Sequence, residues 1–373
     1  MCGIEFVESK CVQIRDFAEK VVDEIDSALQ SLEIKVQNVV MYIWEQIEAI
    51  HLDIISGVID LHDCIVSCIR PALSSITALF ILPSLVQISD DELQKFQLKA
   101  TENIDVLKAA KVQAEEISLT LDDEVTKLSG ISLALPQEKN PERKTILYFP
   151  GNLDYWQKSL PFLAQLQDMC AADLLCYNYR GIAGSNGFPE NQEVLINDGV
   201  KQVKELIRKG TPSDRIFLTG RSIGGTLSLM IAAKLVDEGI VVDAGPLMAP
   251  RSIMAIIRSS FTVSANFFAN FVDRMNWGFD GEAALKKLKG RLIYMNNELD
   301  PVVLIQDSVS AAVKVANLSV KESVSIKMDI DDFNREFPDL REDPENNHHV
   351  RPFTKLEMKL FTDAIKNLWK TRG

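Results

Sequence analysis

The feature that most restricts what this chain can fold into is a change of periodicity near residue 110. From about residue 112 onward, "EEISLTL", "ISLAL", "KTILYF", "DLLCYNY", "RIFLTG", "GIVVDAG", "GRLIYMN" and "ESVSIKM" are short runs rich in β-branched and aromatic residues, and they read as eight strands. Between the later runs lie helix-length patterns, among them "NQEVLINDGVKQVKELIRKG" and the C-terminal "TKLEMKLFTDAIKNLW". Two strands in quick succession, followed by strand and helix in alternation, predict an α/β domain with a mostly parallel eight-stranded sheet and an antiparallel start. Neither an internal repeat nor a low-complexity tract competes with this reading.

The first 110 residues carry the other period. Ile14, Phe17, Val21, Ile25 and Ala28 form one apolar face, and Ile43, Ile47, Ile50, Ile54, Val58, Leu61 and Ile65 form another at spacings of three and four. Both are helical stripes, and the second is interrupted at Arg70-Pro71. The expected division is therefore a helical domain over residues 1–110 and an α/β domain over residues 111–373. Residues 71–88, "PALSSITALFILPSLVQI", hold no charged side chain. That length meets the lower limit for a membrane span, while its prolines and serines suit a buried hairpin helix. Two readings stand: burial against protein, or contact with a membrane surface through the N-terminal domain.

Composition narrows the function. With 373 residues, 46% hydrophobic and 25% charged, the chain is long enough for one enzyme domain and a smaller unit. A formal charge of −13 leaves no basic surplus to release counterions from a phosphate backbone, so nucleic acid is excluded as a partner. The six cysteines lack paired zinc spacing and are too sparse for a disulfide framework, which fits reduced thiols in a cytosol-like compartment. "MCGIEFVESK" has no basic stretch leading into an apolar core, so no conventional signal peptide is expected. Its opening, "MCGI", resembles that of enzymes with an N-terminal nucleophilic cysteine, but the helical stripe that follows favours a plain helix lead-in. His51 and His62 have no carboxylate or cysteine cluster of metal-ligand spacing around them, and no metal or cofactor is expected.

One stretch proposes a chemistry. In "LTGRSIGG", Ser222 stands between Gly220 and Gly224 at a strand-to-helix junction. A nucleophile elbow needs that context, because the serine must be lifted on a strained turn; a glycine-rich turn without chemistry is the bland alternative. After the seventh strand, "NNELDPVV" puts Asp300 at a strand's carboxyl end, where an acid can orient an imidazole, with Glu298 in reserve. After the eighth, "ENNHHVRPF" supplies His348 and His349, one of which must be the base if Ser222 acts. An Asp-Pro turn and an exposed histidine loop are the competing readings. In "YFPGNLDYW", Pro150-Gly151-Asn152 occupies the place of an oxyanion loop, and the backbone N–H groups of Asn152 and Ile223 are the natural donor pair. The glycines and Ser185 of "YNYRGIAGSNGFP" could support the elbow or form a simple loop.

In their order, "LYFPGN", "YNYRGIAGSNG", "GRSIGG", "NELDPVV" and the histidine loop resemble the α/β-hydrolase superfamily over residues 112–373. "YRGxxxSxG" and "GRSxGG" are similar to its Bem46-like esterase branch. The acidic helical N-terminal extension resembles SidB-type hydrolase effectors of intracellular bacteria. The resemblance implies Ser222 as nucleophile, Asp300 as acid, His349 as base, with Asn152 and Ile223 as oxyanion donors. It also implies a cytoplasmic location, or translocation into a host cell, with peripheral membrane association. Two departures stand out: the histidine follows "ENN" where a small residue is usual, which keeps His348 open as the base, and Pro150 replaces a histidine common before the oxyanion glycine.

Between the sixth and seventh strands, about residues 247–288, lies the place of a lid, with Phe261, Phe267, Phe268, Phe271, Trp277 and Phe279 clustered. These rings either line a cover for an acyl chain or pack the insertion onto the body. The expected function is a serine hydrolase cleaving carboxylic esters, of lipid or other acyl type, through an acyl-Ser222 intermediate. The alternatives are a thioesterase or peptidase using the same chemistry, and a catalytically silent interaction module.

Overall fold

The computed structural model describes Ser74, Thr77, Ala78, Ile81, Leu82 and residues 88–371, apart from 137–139, 141, 143, 261–264, 316–322, 341–348 and 350; the side chains of 260, 265–268 and 315 are also outside the description. All of these residues belong to the unit Ser74–Gly373. The stripes over residues 14–65, together with His51 and His62, lie outside the described residues.

All eight expected strands are present: β1 (Gln113–Thr120), β2 (Lys127–Ala134), β3 (Thr145–Phe149), β4 (Asp173–Tyr177), β5 (Ile216–Arg221), β6 (Asp243–Leu247), β7 (Leu292–Asn296) and β8 (Ser323–Lys327). They form one sheet in the order β1-β2-β4-β3-β5-β6-β7-β8. β2 is antiparallel to both β1 and β4, and every other pairing is parallel. The central strands "TILYF", "DAGPL" and "LIYMN" are buried throughout, as befits parallel strands covered on both faces. The edges are polar: β1 exposes Glu115 and Glu116, and β8 buries only Ile326, which discourages pairing with another chain. β6 starts at Asp243, later than the run "GIVVDAG" suggested, because Ile240 and Val241 precede the ladder.

The helices are α1 (Asp90–Ala109), α2 (Trp156–Cys170), α3 (Gln192–Arg208), α4 (Ile223–Asp237), α5 (Ile253–Ser260), α6 (Ala265–Arg274), α7 (Gly281–Lys287), α8 (Val309–Val315), α9 (Ile330–Glu336) and α10 (Lys355–Lys370). α1 starts where the Ser89 hydroxyl accepts the Glu92 N–H at 3.1 Å, with Asp90, Asp91 and Glu92 complementing the helix dipole. Its buried Ala100 and Ile104 join a core that includes Trp156, Leu160 and Leu163 of α2, Tyr148 of β3, and Phe361, Ile365 and Trp369 of α10. Phe96 meets Tyr155 edge-on at 5.8 Å. The helix assigned from sequence to the N-terminal domain thus packs on the α/β body.

The described positions of the uncharged stretch tell the same story. Ser74, Thr77, Ala78, Ile81 and Leu82 are buried. The Ser74 hydroxyl donates to the carbonyls of Glu190 and Met275 and accepts from the Trp277 indole N–H, which also reaches the Ser74 carbonyl. No helix among the described residues is long and apolar enough to cross a membrane.

Helices α5, α6 and α7 form the expected insertion between β6 and β7. Phe271, Trp277 and Phe279 are buried, the last two fully, and the Phe279 N–H donates to the Gln192 side chain of α3. These three rings seat the insertion on the body, where their large apolar area is best removed from water. The Phe261, Phe267 and Phe268 side chains lie outside the described residues.

Chain order decides where a ligand can bind. After β3 the chain moves to one side to make β4, then crosses back to make β5 on the other. In open α/β sheets such a reversal of chain order, here between β3 and β5, is where ligands bind, beyond the carboxyl ends of the strands. Phe149 at the end of β3 pairs with Gly220 of β5, and Arg221 pairs with Leu247 of β6. The "PGN" loop and Ser222 are therefore brought side by side by strand register.

Candidate active site

Ser222 is the single residue between the end of β5 and the start of α4, with φ 55° and ψ −125°. This backbone region is costly for a residue with a side chain, by about 1–3 kcal/mol. The surrounding chain enforces it. A Cβ on Gly224 would lie 2.2 Å from the Phe149 carbonyl oxygen, and one on Gly220 would lie 2.5 Å from the same atom. Only glycine lets strand, elbow and helix approach this closely. The Ser222 N–H donates to the Leu247 carbonyl at 2.9 Å, tying the elbow to β6.

His349 stands opposite. Its Nε2 lies 2.9 Å from Ser222 Oγ and its Nδ1 lies 2.7 Å from Asp300 Oδ2. Asp300 and His349 are buried, at 3% and 7% exposure. The second carboxylate oxygen of Asp300 accepts the N–H groups of Val302 and Val303, both at 2.8 Å. With one oxygen fixed by the backbone, the other can only face the imidazole. A carboxylate there makes Nδ1 the donor, which leaves Nε2 as acceptor for the serine hydroxyl proton. Glu298 is turned away and pairs with Lys327 at 2.7 Å on the surface, so Asp300 is the carboxylate beside His349. His348 lies outside the described residues.

The Pro150–Asn152 loop sits against the elbow: a Cβ on Gly151 would be 3.7 Å from Ser222 Cβ. Ile223 opens α4, and the first N–H groups of a helix have no intrahelical acceptor. Asn152 turns its side chain back to accept the Leu153 N–H at 3.0 Å. The loop is anchored from below, because the buried Tyr179 hydroxyl donates to the Pro150 carbonyl at 2.6 Å.

This last bond explains part of "YNYRGIAGSNG". Asn178 accepts the Trp156 N–H and donates to Gln157 and the Ala183 carbonyl. Arg180 forms a fork to Asp198 at 2.7 and 2.8 Å. The Ser185 hydroxyl accepts the Ser129 N–H and donates to the Asn178 carbonyl. The motif packs beside the Pro150–Asn152 loop, and Ser185 ties it to β2.

Buried ionisable groups lie under this floor. Desolvation pushes the Tyr148 and Tyr179 phenols well up. Desolvation also raises the Asp154 carboxyl, with the Ser159 hydroxyl opposing the shift by hydrogen bonding. Arg351 and Glu357 form a bidentate pair at 2.6 and 3.1 Å, almost fully buried, at the base of the histidine loop. The "TKLE" capping box was the sequence signal for Glu357: Thr354 caps α10 and Glu357 reaches back to the Thr354 N–H at 2.8 Å. Arg221, Tyr179 and Arg351 had no comparable local signal. Among the described residues no group of His, Cys, Asp and Glu side chains could hold a metal ion.

Known proteins resemble the chain at two levels. No family model matches it. The protein bem46 of Schizosaccharomyces pombe is 24% identical over 209 residues, which span 56% of this chain and 68% of that protein. An esterase from Pyrococcus furiosus superposes with a TM-score of 0.51 at 14% identity, over 71% of this chain and 92% of its own. An α/β hydrolase from Vibrio vulnificus gives 0.51 at 17% identity, over 73% and 90%. Strand order and these superpositions give the chain the α/β-hydrolase fold, and its sequence is similar to that of bem46.

Proposed function

We propose that the chain is a serine hydrolase of carboxylic esters. The observation that carries this reading is the continuous line from Ser222 Oγ through the His349 ring to Asp300, at 2.9 and 2.7 Å. His349 Nε2 takes the hydroxyl proton as Oγ attacks the ester carbonyl, and Asp300 stabilises the imidazolium that results. The N–H groups of Ile223 and Asn152 receive the negative oxygen of the tetrahedral intermediate; losing one such donor typically costs about 10²–10³ in rate. The imidazolium then protonates the leaving alkoxide, giving acyl-Ser222 and an alcohol. A water activated by His349 releases the acid and restores the serine.

Acyl or lipid esters fit the surroundings best. Leu153, beside Asn152, and Leu299 and Val302, flanking Asp300, are large apolar side chains left 39%, 51% and 40% exposed. Apolar groups bordering reacting residues favour an acyl chain over a charged substrate.

Wild type should take up a fluorophosphonate probe and turn over a short-chain p-nitrophenyl ester, and Ser222→Ala should do neither. A wild-type protein that stays unlabelled beside a labelled control esterase would sink the reading.

A further inference from the structure

Arg221 is the last residue of β5 and the chain neighbour of Ser222. Its Nη2 donates to the His349 carbonyl at 2.6 Å and to the Arg351 carbonyl at 2.8 Å, and its Nε donates to the His349 carbonyl at 3.2 Å. Phe353 lies under the guanidinium at 5.2 Å, within cation–π range. Among the described residues these hydrogen bonds run only to backbone carbonyls. Desolvation disfavours the charged form, with the nearby carboxylates of Asp154 and Asp300 opposing it. Burying a cation is costly unless its donors are used. Here they are used on one short segment, the one that carries the base.

We propose that Arg221 is the positioning residue for His349, holding the base in register with the nucleophile. This rests on the hydrolase reading. Fixing the carbonyl of His349 fixes the peptide plane from which the ring projects. Because the clamp grows from the residue before Ser222, both ends of the Ser222–His349 hydrogen bond are referenced to the same strand end. A misplacement of about 1 Å in such a pair can cost roughly 100-fold. Nη2 alone spans the two carbonyls while Nε reinforces the one of His349; a lysine ammonium has three donors on a single nitrogen but no second, rigidly placed N–H group, so it reproduces the clamp only in part.

The test compares Arg221→Met and Arg221→Lys with wild type. One readout is the far-downfield proton signal of His349 Nδ1–H facing Asp300, assigned by its loss in His349→Ala. The others are kcat, KM and the thermal midpoint. Arg221→Met should broaden or lose the signal and lower kcat by roughly 10–100-fold with little change in KM. Arg221→Lys should fall between Met and wild type, and it carries the test if the Met protein does not fold. Either folded variant with the wild-type signal and kcat overturns the proposal, as does a loss confined to KM. If wild type gives the signal but no ester turnover, the hydrolase reading fails while the signal still decides the role of Arg221.

Discussion

Ser222 and His349 meet at 2.9 Å, yet opposite means bring them there. The serine is held by sterics over a short range: a positive φ, two glycines pressed against the Phe149 carbonyl, and a hydrogen bond to β6. The histidine is held by charged side chains, partly buried at Arg221 and buried at Arg351 and Glu357, over a long range. Arg221 reaches across 128 positions to its carbonyl. The Arg351–Glu357 pair then fixes the chain that follows, with Glu357 also accepting the N–H groups of Thr354 and Asp329. Backbone crowding specifies a position without using charge but tolerates no added Cβ. A charged network tolerates changes of shape and fails as a unit when one member loses its charge.

The largest effect expected from this contrast is chemical. His349→Ala should lower kcat by about 10⁴-fold or more, while His348→Ala should retain a substantial fraction of wild-type turnover. Steady-state kinetics on a short-chain ester decide it, and equal losses would remove His349 from its special place.

Next comes the ionic support. Glu357→Gln keeps the shape of the side chain and leaves the Arg351 cation buried opposite an amide, which should cost about 3–5 kcal/mol in denaturant unfolding. Replacing both residues by methionine should cost less than the sum of the single changes, since no lone charge is left behind. A Glu357→Gln protein as stable as wild type would mean that the pair does not hold the loop.

The same contrast explains what could be read from the sequence. The elbow was legible because its cause is local: Gly220, Ser222 and Gly224 are neighbours in the chain, and strand and helix signals flank them. Asp300 and the Pro150–Asn152 loop were legible because strands end just before them. All eight strands were visible for the same reason, as short apolar runs bounded by turn residues. Arg221 was not, since nothing in "GRSIGG" says that its side chain turns toward a segment more than a hundred residues away. Tyr179 escaped notice likewise: its partner is the carbonyl of Pro150, a group that every residue carries. The aromatic run in the insertion left lining and packing equally open, because composition does not tell which way a ring points; its described rings, Phe271, Trp277 and Phe279, are buried. α1 reads as helix correctly, but only its buried Ala100 and Ile104 reveal that it belongs to the α/β body.

The smallest expected effect isolates the steric half of the comparison. Ser222→Ala and Ser222→Gly both remove the hydroxyl, so both should be inactive and both lose the bond to His349. They differ in the Cβ that makes φ 55° and ψ −125° costly. Alanine keeps that cost, whereas glycine relieves it, by about 1–3 kcal/mol for such a conformation. Against this, glycine gives the unfolded chain more freedom, worth roughly 0.4–1 kcal/mol. The balance makes Ser222→Gly the more stable of the two, by about 1 kcal/mol. Denaturant midpoints at equal m-values measure the difference directly. An alanine variant as stable as the glycine one would show that the elbow stores no more than roughly 0.4–1 kcal/mol of strain, and that the glycines, by letting β3 approach, account for most of what puts the serine where it is.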